Sequence, residues 1–270
     1  MRVDEAPWLS GPTGGVDVVG SKWLDDLTVA VDGVQRHAAG LIPAVAALAS
    51  EEFDPARLRP EVVHFYEHTS EYQLDVWSQW SPLAWPGGWL ISSLFARRLE
   101  QLSLPLRPLD AAYGMDSEVI AIDDSTGEQM GAAWLRTMRS TGAPVYSGWY
   151  GSTNLPGEQG PAVRVVFPLP NGRCIVLLRP RNGPDGSLLL ESPLGSFGEP
   201  GAYLVVDASG QHIDVRRVPL NERFEVFVDA RGELRTDHHL KLWNTSVIRF
   251  HYRLTHVPAD PDRANSGVAR

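Results

Sequence analysis

The chain contains one cysteine, Cys174, so no disulfide can form within it, which suits a reducing compartment. Basic residues are in deficit: 24 Lys and Arg stand against 33 Asp and Glu. The net charge of -9 excludes the broad basic footprint of a nucleic-acid binder and sets the chain against acidic membrane surfaces. Long hydrophobic runs are also missing. The longest mostly apolar stretch, residues 38–49, is interrupted by Pro43. It falls far short of the roughly 20 residues that span a bilayer. The opening Met1-Arg2-Val3-Asp4-Glu5 places acids where a secretory signal needs an apolar core. These absences lead us to expect a soluble cytoplasmic protein with neither nucleic acid nor membrane as a partner.

What is present suffices for a core. A 270-residue chain that is 43% hydrophobic and 21% charged is neither disordered nor fibrous. Residues 1–20 are rich in Gly, Pro and Asp and read as a flexible arm, and residues 259–270 as a flexible tail. Residues 21–258 read as a single globular domain, with helices mainly over 21–104. Trp23, Leu24, Leu27, Val31 and Val34 recur at helical spacing, with Gly40 as a stop. Short helices are expected over 42–49, after Asp54-Pro55 and over 61–68, and a longer one over 89–104.

Strand spacing covers 70–80 and then nearly everything from 115 to 257. Turn signals recur every 10–15 residues: Asn171-Gly172, Asn182 to Gly186, Asp207 to Gly210, Asp229 to Gly232 and Asn244-Thr245-Ser246. Asn171-Gly172 has the form of a two-residue hairpin turn. Strands and helices do not alternate in this half, which argues against a parallel Rossmann-type sheet. The fold expected is mainly β (α+β): a curved antiparallel sheet or β-barrel, with N-terminal helices packed on it or capping it. Such barrels can hold one small ligand.

Three motifs invite chemistry. His64-Phe65-Tyr66-Glu67-His68 matches H-x-x-E-H, in which two His on one helix face bind zinc and the Glu activates water. The helix is short and no later helix offers a third ligand, so we expect no bound metal and no cofactor. Gly195, Gly198 and Gly201 are followed by a strand-like run and not by a helix, which argues against a phosphate loop. Their loop, with Phe197 at its tip, could instead close a pocket mouth. Cys174 alternates with Val176 and Leu178 and reads as a small core residue, not a nucleophile.

The last two strands carry the main candidate site. Arg235, Asp237, His239 and Lys241 alternate with apolar or other residues, as do Arg249, His251 and Arg253. A three-residue loop after Trp243 keeps Leu240, Leu242, Ile248 and Phe250 on one face. It would set His239 against His251 and Asp237 against Arg253 on the other. His239 and His251 are then acid–base candidates, Asp237 an orienting group, and Arg249 or Arg253 a stabiliser of negative charge. The alternative is a solvated outer face. Nine Trp suit either a core or a pocket for an apolar ligand. Trp77, Trp134, Phe197 and Tyr203 are the ligand-contact candidates.

The stretches Phe65-Tyr66-Glu67-His68-Thr69, Tyr72-Gln73-Leu74, residues 99–106, Thr236-Asp237-His238, Leu242-Trp243 and Arg249-Phe250-His251-Tyr252-Arg253 resemble a family of uncharacterised proteins of bacilli and actinomycetes. Some members are attached to a membrane region. The resemblance covers about residues 54–257. It implies no established reaction, transfers no site residue, and tells against the peptidase. The function expected is binding of a largely apolar small molecule in the barrel, with a cofactor-independent cyclase or isomerase as the enzyme reading. A non-catalytic carrier and a zinc hydrolase using His64, Glu67 and His68 are the alternatives. The ligand's identity and the oligomeric state are not legible in the sequence.

Overall fold

The computed structural model describes residues 1–14, 23–25, 35–81, 115–139, 144–208 and 212–257. Within them the chain forms β1 (Gln35–Ala38), α1 (Pro60–Glu67), β2 (Tyr72–Trp80), β3 (Met115–Asp123), β4 (Gln129–Met138), β5 (Pro144–Asn154) and β6 (Pro161–Leu169). It continues with β7 (Gly172–Asn182), β8 (Leu188–Ser192), β9 (Gly201–Asp207), β10 (Ile213–Val218), β11 (Leu220–Val228), β12 (Leu234–Leu242) and β13 (Thr245–His256). All pairings are antiparallel, in the order β1-β3-β4-β5-β6-β7-β8-β11-β12-β13-β2, with β9 and β10 branching from β7. The last strand of this path, β2, comes to lie beside β3. The sheet is therefore a nearly closed barrel, as the strand spacing predicts.

Alternation along each strand builds two cores. Inside the barrel Leu74, Val119, Val163, Val165, Val176, Leu178, Leu188, Val226, Leu234 and Leu254 meet. The α1 side chains Val62, Phe65 and Tyr66 join them and plug one end. Outside, Ile122, Ala133, Trp149, Val166, Ile175, Leu177 and Val205 form a second core. Strands β6 and β7 are thus apolar on both faces, which is why Val163 to Phe167 reads as a continuous hydrophobic run.

The N-terminal stretch, expected as an arm, supplies the cover for that second core over residues 1–14. Trp8 and Leu9 are buried, and Arg2 and Gly14 form bridges to His212 and Pro170. Trp23 is also buried and donates to Ser147 Oγ at 2.7 Å. Proline and glycine signalled the absence of regular structure here, but two large apolar side chains anchor the irregular backbone.

The helical expectations hold only in part. Trp23 to Asp25 is helical, but residues 35–38, expected as the end of that helix, are β1 and pair with β3 from Ala38↔Ile120 to Gln35↔Asp123. Pairing with an open sheet edge overrides the local spacing. Residues 42–49 contain a single 3₁₀ turn, Val45–Leu48, and Asp54 caps another, Pro55–Arg57, by accepting from Ala56 N at 3.0 Å. The helix expected over 89–104, the tail 259–270, and Trp85 and Trp89 lie outside the described residues.

Two hairpins depart from their expected registers. Leu169 pairs with Gly172, so the first turn is Pro170-Asn171, one residue earlier than expected, with Asn171 at φ 56°. Proline followed by a residue of positive φ is the pattern of a type II turn. In the last hairpin the turn is Trp243-Asn244, with Trp243 at φ 50°. Val247 is then extra: Lys241 pairs with Ser246, but Leu240 pairs with Ile248. A two-residue turn plus a one-residue bulge keeps the same faces as a three-residue loop but slides the pairing by two residues. Asp237 therefore faces His251, and His239 faces Arg249.

Gly172 follows the turn, and a Cβ there would stand 2.2 Å from the Val205 carbonyl oxygen. Gly172→Val should therefore destabilise the protein by about 1–3 kcal/mol through overpacking of β7 on β9. Denaturant unfolding checks this, and an unchanged midpoint would show that the two strands part without cost.

Candidate functional site

The strand alternation sorts the polar residues of β12 and β13 into two sets. Arg235, Asp237, His239, Arg249, His251 and Arg253 occupy the outer face of the barrel. His251 Nδ1 pairs with Asp237, and their side chains are 42% and 58% exposed. Arg253 does not meet Asp237; it bonds Asp75 of β2 at 2.7 Å. His239 Nε2 bonds Ser246 Oγ at 2.7 Å, and its pKa lies below the usual imidazole value, through burial and then the Arg249, Lys241, His238 and Arg223 charges. The face-to-face His239–His251 pair is thus replaced by a row of cross-strand ion pairs. Such pairs contribute only a few tenths of a kcal/mol each.

The other candidates scatter. Trp77 is 53% exposed on the outer face, 6.4 Å from the His251 ring. Tyr203 is buried in the outer core, edge-on to Trp8 at 5.1 Å, and its hydroxyl donates to Glu199 O at 2.6 Å. Phe197, itself 54% exposed, rests on Trp8. The loop that carries it is strapped down, because Arg217 donates to the carbonyls of Pro193, Gly195 and Pro200. It covers the N-terminal segment and not a barrel mouth. Trp134 alone points inside, where it donates to Ser117 Oγ at 2.8 Å.

The inward faces of the same strands hold groups that the sequence reading passed over. At the end opposite α1, His238 Nε2 lies 3.0 Å from Glu222 Oε2. The two side chains are only 11% and 10% exposed. His238 is stacked on Phe224 at 3.7 Å and lies 5.4 Å from Phe250. From the facing wall, the Arg136 guanidinium sits 3.9 Å over the Trp134 ring and 5.4 Å over Tyr252. Burial, and then the Glu222 carboxylate, push the Cys174 thiol up to about 12. Burial also raises the Tyr252 phenol, with Glu222 adding to the rise and Arg136 opposing it. One carboxylate acts on groups from β7, β12 and β13, so these side chains share one space.

Pairing explains the placement. Phe224 pairs with His238 and His238 with Phe250, so three aligned strands present an aromatic–imidazole–aromatic row inward. The inner residues at the α1 end, such as Leu234, Val226 and Leu254, are buried. Among the described residues, Glu222, Phe224, His238 and Tyr252 keep partial exposure, so they are less covered than the inner residues at the α1 end. Period-two spacing is the signal that could have found His238, since it falls in the row of Leu234 and Thr236. Glu222 carries no such signal until β11 is paired. Two clefts, of about 440 and 570 Å3, lie outside the barrel, beside Leu169 to Gly172 and around Arg173 and Asp207.

The H-x-x-E-H motif divides on inspection. His64 and His68 stack at 4.5 Å, but Glu67 turns away and accepts from Val45 N at 2.8 Å. Glu67 therefore braces the 3₁₀ turn over α1 and does not share a site with the two His.

The sequence is 28% identical over 224 residues to the uncharacterised membrane protein YndJ of Bacillus subtilis. The match covers 81% of this chain and 38% of that protein, so the chain spans well under half of its relative. No family model and no solved structure matches. The relative is consistent with the resemblance to an uncharacterised bacterial family, though the Phe-Tyr-Glu-His-Thr motif is not itself established as that family's mark. It overturns the expectation of a cytoplasmic location, because the relative is described as a membrane protein. Among the described residues no helix is long and apolar enough to cross a membrane.

The raised thiol generates a prediction. Moving Cys174 from an ordinary value of 9.0 to about 12 cuts its thiolate fraction at pH 8 by about a thousandfold. A disulfide reagent should label it at least a hundredfold more slowly in the folded protein than in denaturant. Equal rates would show that the thiol is open to solvent and unperturbed.

Proposed function

We propose that the barrel binds a small, largely apolar molecule at the end opposite α1 and moves a proton on it. The observation that carries this reading is the Glu222–His238 pair, enclosed between Phe224 and Phe250 with each side chain about nine-tenths covered. An ionisable pair inside an apolar wall costs desolvation energy that an aliphatic pair would not. Groups retained at that cost suit a site where a proton is exchanged. Glu222 would orient the imidazole, and His238 would be the acid–base group. Arg136, between Trp134 and Tyr252, would neutralise negative charge developing on the substrate. The aromatic lining supplies affinity for an apolar body and needs no cofactor for an isomerase- or cyclase-type step.

Native mass spectrometry of the protein taken from cells tests the binding step. Wild type should carry an organic adduct, and His238→Leu should retain it with affinity changed less than tenfold, about 1.4 kcal/mol. Phe224→Ala should lose it. Once the adduct is identified, Glu222→Gln and His238→Leu should each slow its turnover at least a hundredfold. An adduct that the wild type itself does not convert would mark a carrier. No adduct on any preparation would overturn the binding site itself.

A further inference from the structure

The plugged end of the barrel gathers a second set of groups, unrelated to the interior pair. His64 projects from α1, Glu71 stands just before β2, and His256 ends β13. His64 Nε2 and His256 Nε2 both face one carboxylate oxygen, Glu71 Oε2, at 3.8 and 3.0 Å. His68 Nδ1 faces the other oxygen at 3.7 Å. The ligand-type atoms of His64, Glu71 and His256 all lie within 4.8 Å of one another. We propose that these three side chains form a binding site for a divalent transition ion, zinc by ligand class, with His68 beside it.

The chemistry of the donor set supports this. Two imidazoles and one carboxylate are a usual zinc set that leaves a fourth position for water. Ligand atoms around tetrahedral zinc stand about 3.3 Å apart, so rotations of about 1 Å close the set. His64 is already oriented: its Nδ1 bonds Tyr72 Oη at 2.9 Å, which leaves Nε2 free to ligate. A partner on the far ring nitrogen is the usual support for a metal-bound imidazole.

The backbone is fixed as well. His256 pairs with Tyr72 across β13 and β2, Val257 N donates to Glu71 O at 2.7 Å, and Glu71 N donates to His68 O at 3.0 Å. All four side chains are about one-third to one-half exposed, so an ion can reach them from water. Of the H-x-x-E-H motif the site takes His64 as a ligand, with His68 beside it. Glu71 replaces Glu67, and the ligand missing on any helix comes from a strand end 185 residues downstream of Glu71.

Zinc titration of the whole, chelator-treated chain by calorimetry tests the site, with cobalt absorbance as the second reading. One zinc per chain should bind, and His256→Ala and Glu71→Gln should each weaken it at least tenfold. His212→Ala, an exposed imidazole elsewhere, should leave it unchanged. No stoichiometric binding, wild-type affinity in His256→Ala, or equal loss in His212→Ala would overturn the proposal. If the site variants fail to fold, the wild-type cobalt spectrum decides. Intense tetrahedral visible bands support the site, and the spectrum of hydrated cobalt overturns it.

Discussion

The barrel depends on strand alternation being carried unbroken through the β12–β13 hairpin. The turn Trp243-Asn244 has two residues, and a plain two-residue turn would bring Ile248 beside a residue of the outer row. The bulge at Val247 restores the parity. Without it Ile248, Phe250, Tyr252 and Leu254 would face water, and Arg249, His251 and Arg253 would enter the barrel. Burying two guanidinium groups and an imidazole among Val and Leu side chains is far costlier than a bulge, so the hydrophobic row selects the bulged register. Closure follows from it, because β2 pairs along β13 from His256↔Tyr72 to Ile248↔Trp80 and inherits its faces.

A sheet closed in this way still has two ends and an outer surface to cover. The α1 side chains fill one end, and the N-terminal segment covers the doubly apolar strands β6 and β7 from outside. The first is a short α-helix, and the second has only two 3₁₀ turns of its own. Their placement comes from Trp8, Leu9, Phe65 and Tyr66, each largely removed from water. Burying one such side chain contributes roughly 1.5–3 kcal/mol, enough to hold a short irregular segment.

The two polar clusters lie at opposite ends of this barrel and in opposite dielectric settings. Glu222 and His238 are enclosed by aromatic rings, where electrostatic interactions are strong and solvation is scarce. His64, Glu71 and His256 sit on the rim, open to water and held by strand pairing. The interior pair is the proposed site of proton exchange, and the rim cluster the proposed site for a directly ligated ion. The outer row of Asp237, His251 and Arg253 satisfies itself through neighbouring strands.

The sequence by itself determined the mainly antiparallel β class, the short helix after Pro60 and the sorting of β12 and β13 into two faces. These follow from local quantities: spacing, turn chemistry and the fixed φ of proline. It did not determine which face turns inward. The charged row drew attention because it was rich in Arg and His, yet only closure of the sheet decides that it lies outside and that His238 lies within. Pairing also decided the fate of residues 35–38, where a sheet edge outweighed helical spacing. The meeting of Glu71 with His256 was likewise beyond local reading. Neighbours across a sheet are set by the order and register of strands, and that information resides in the packing of the whole barrel.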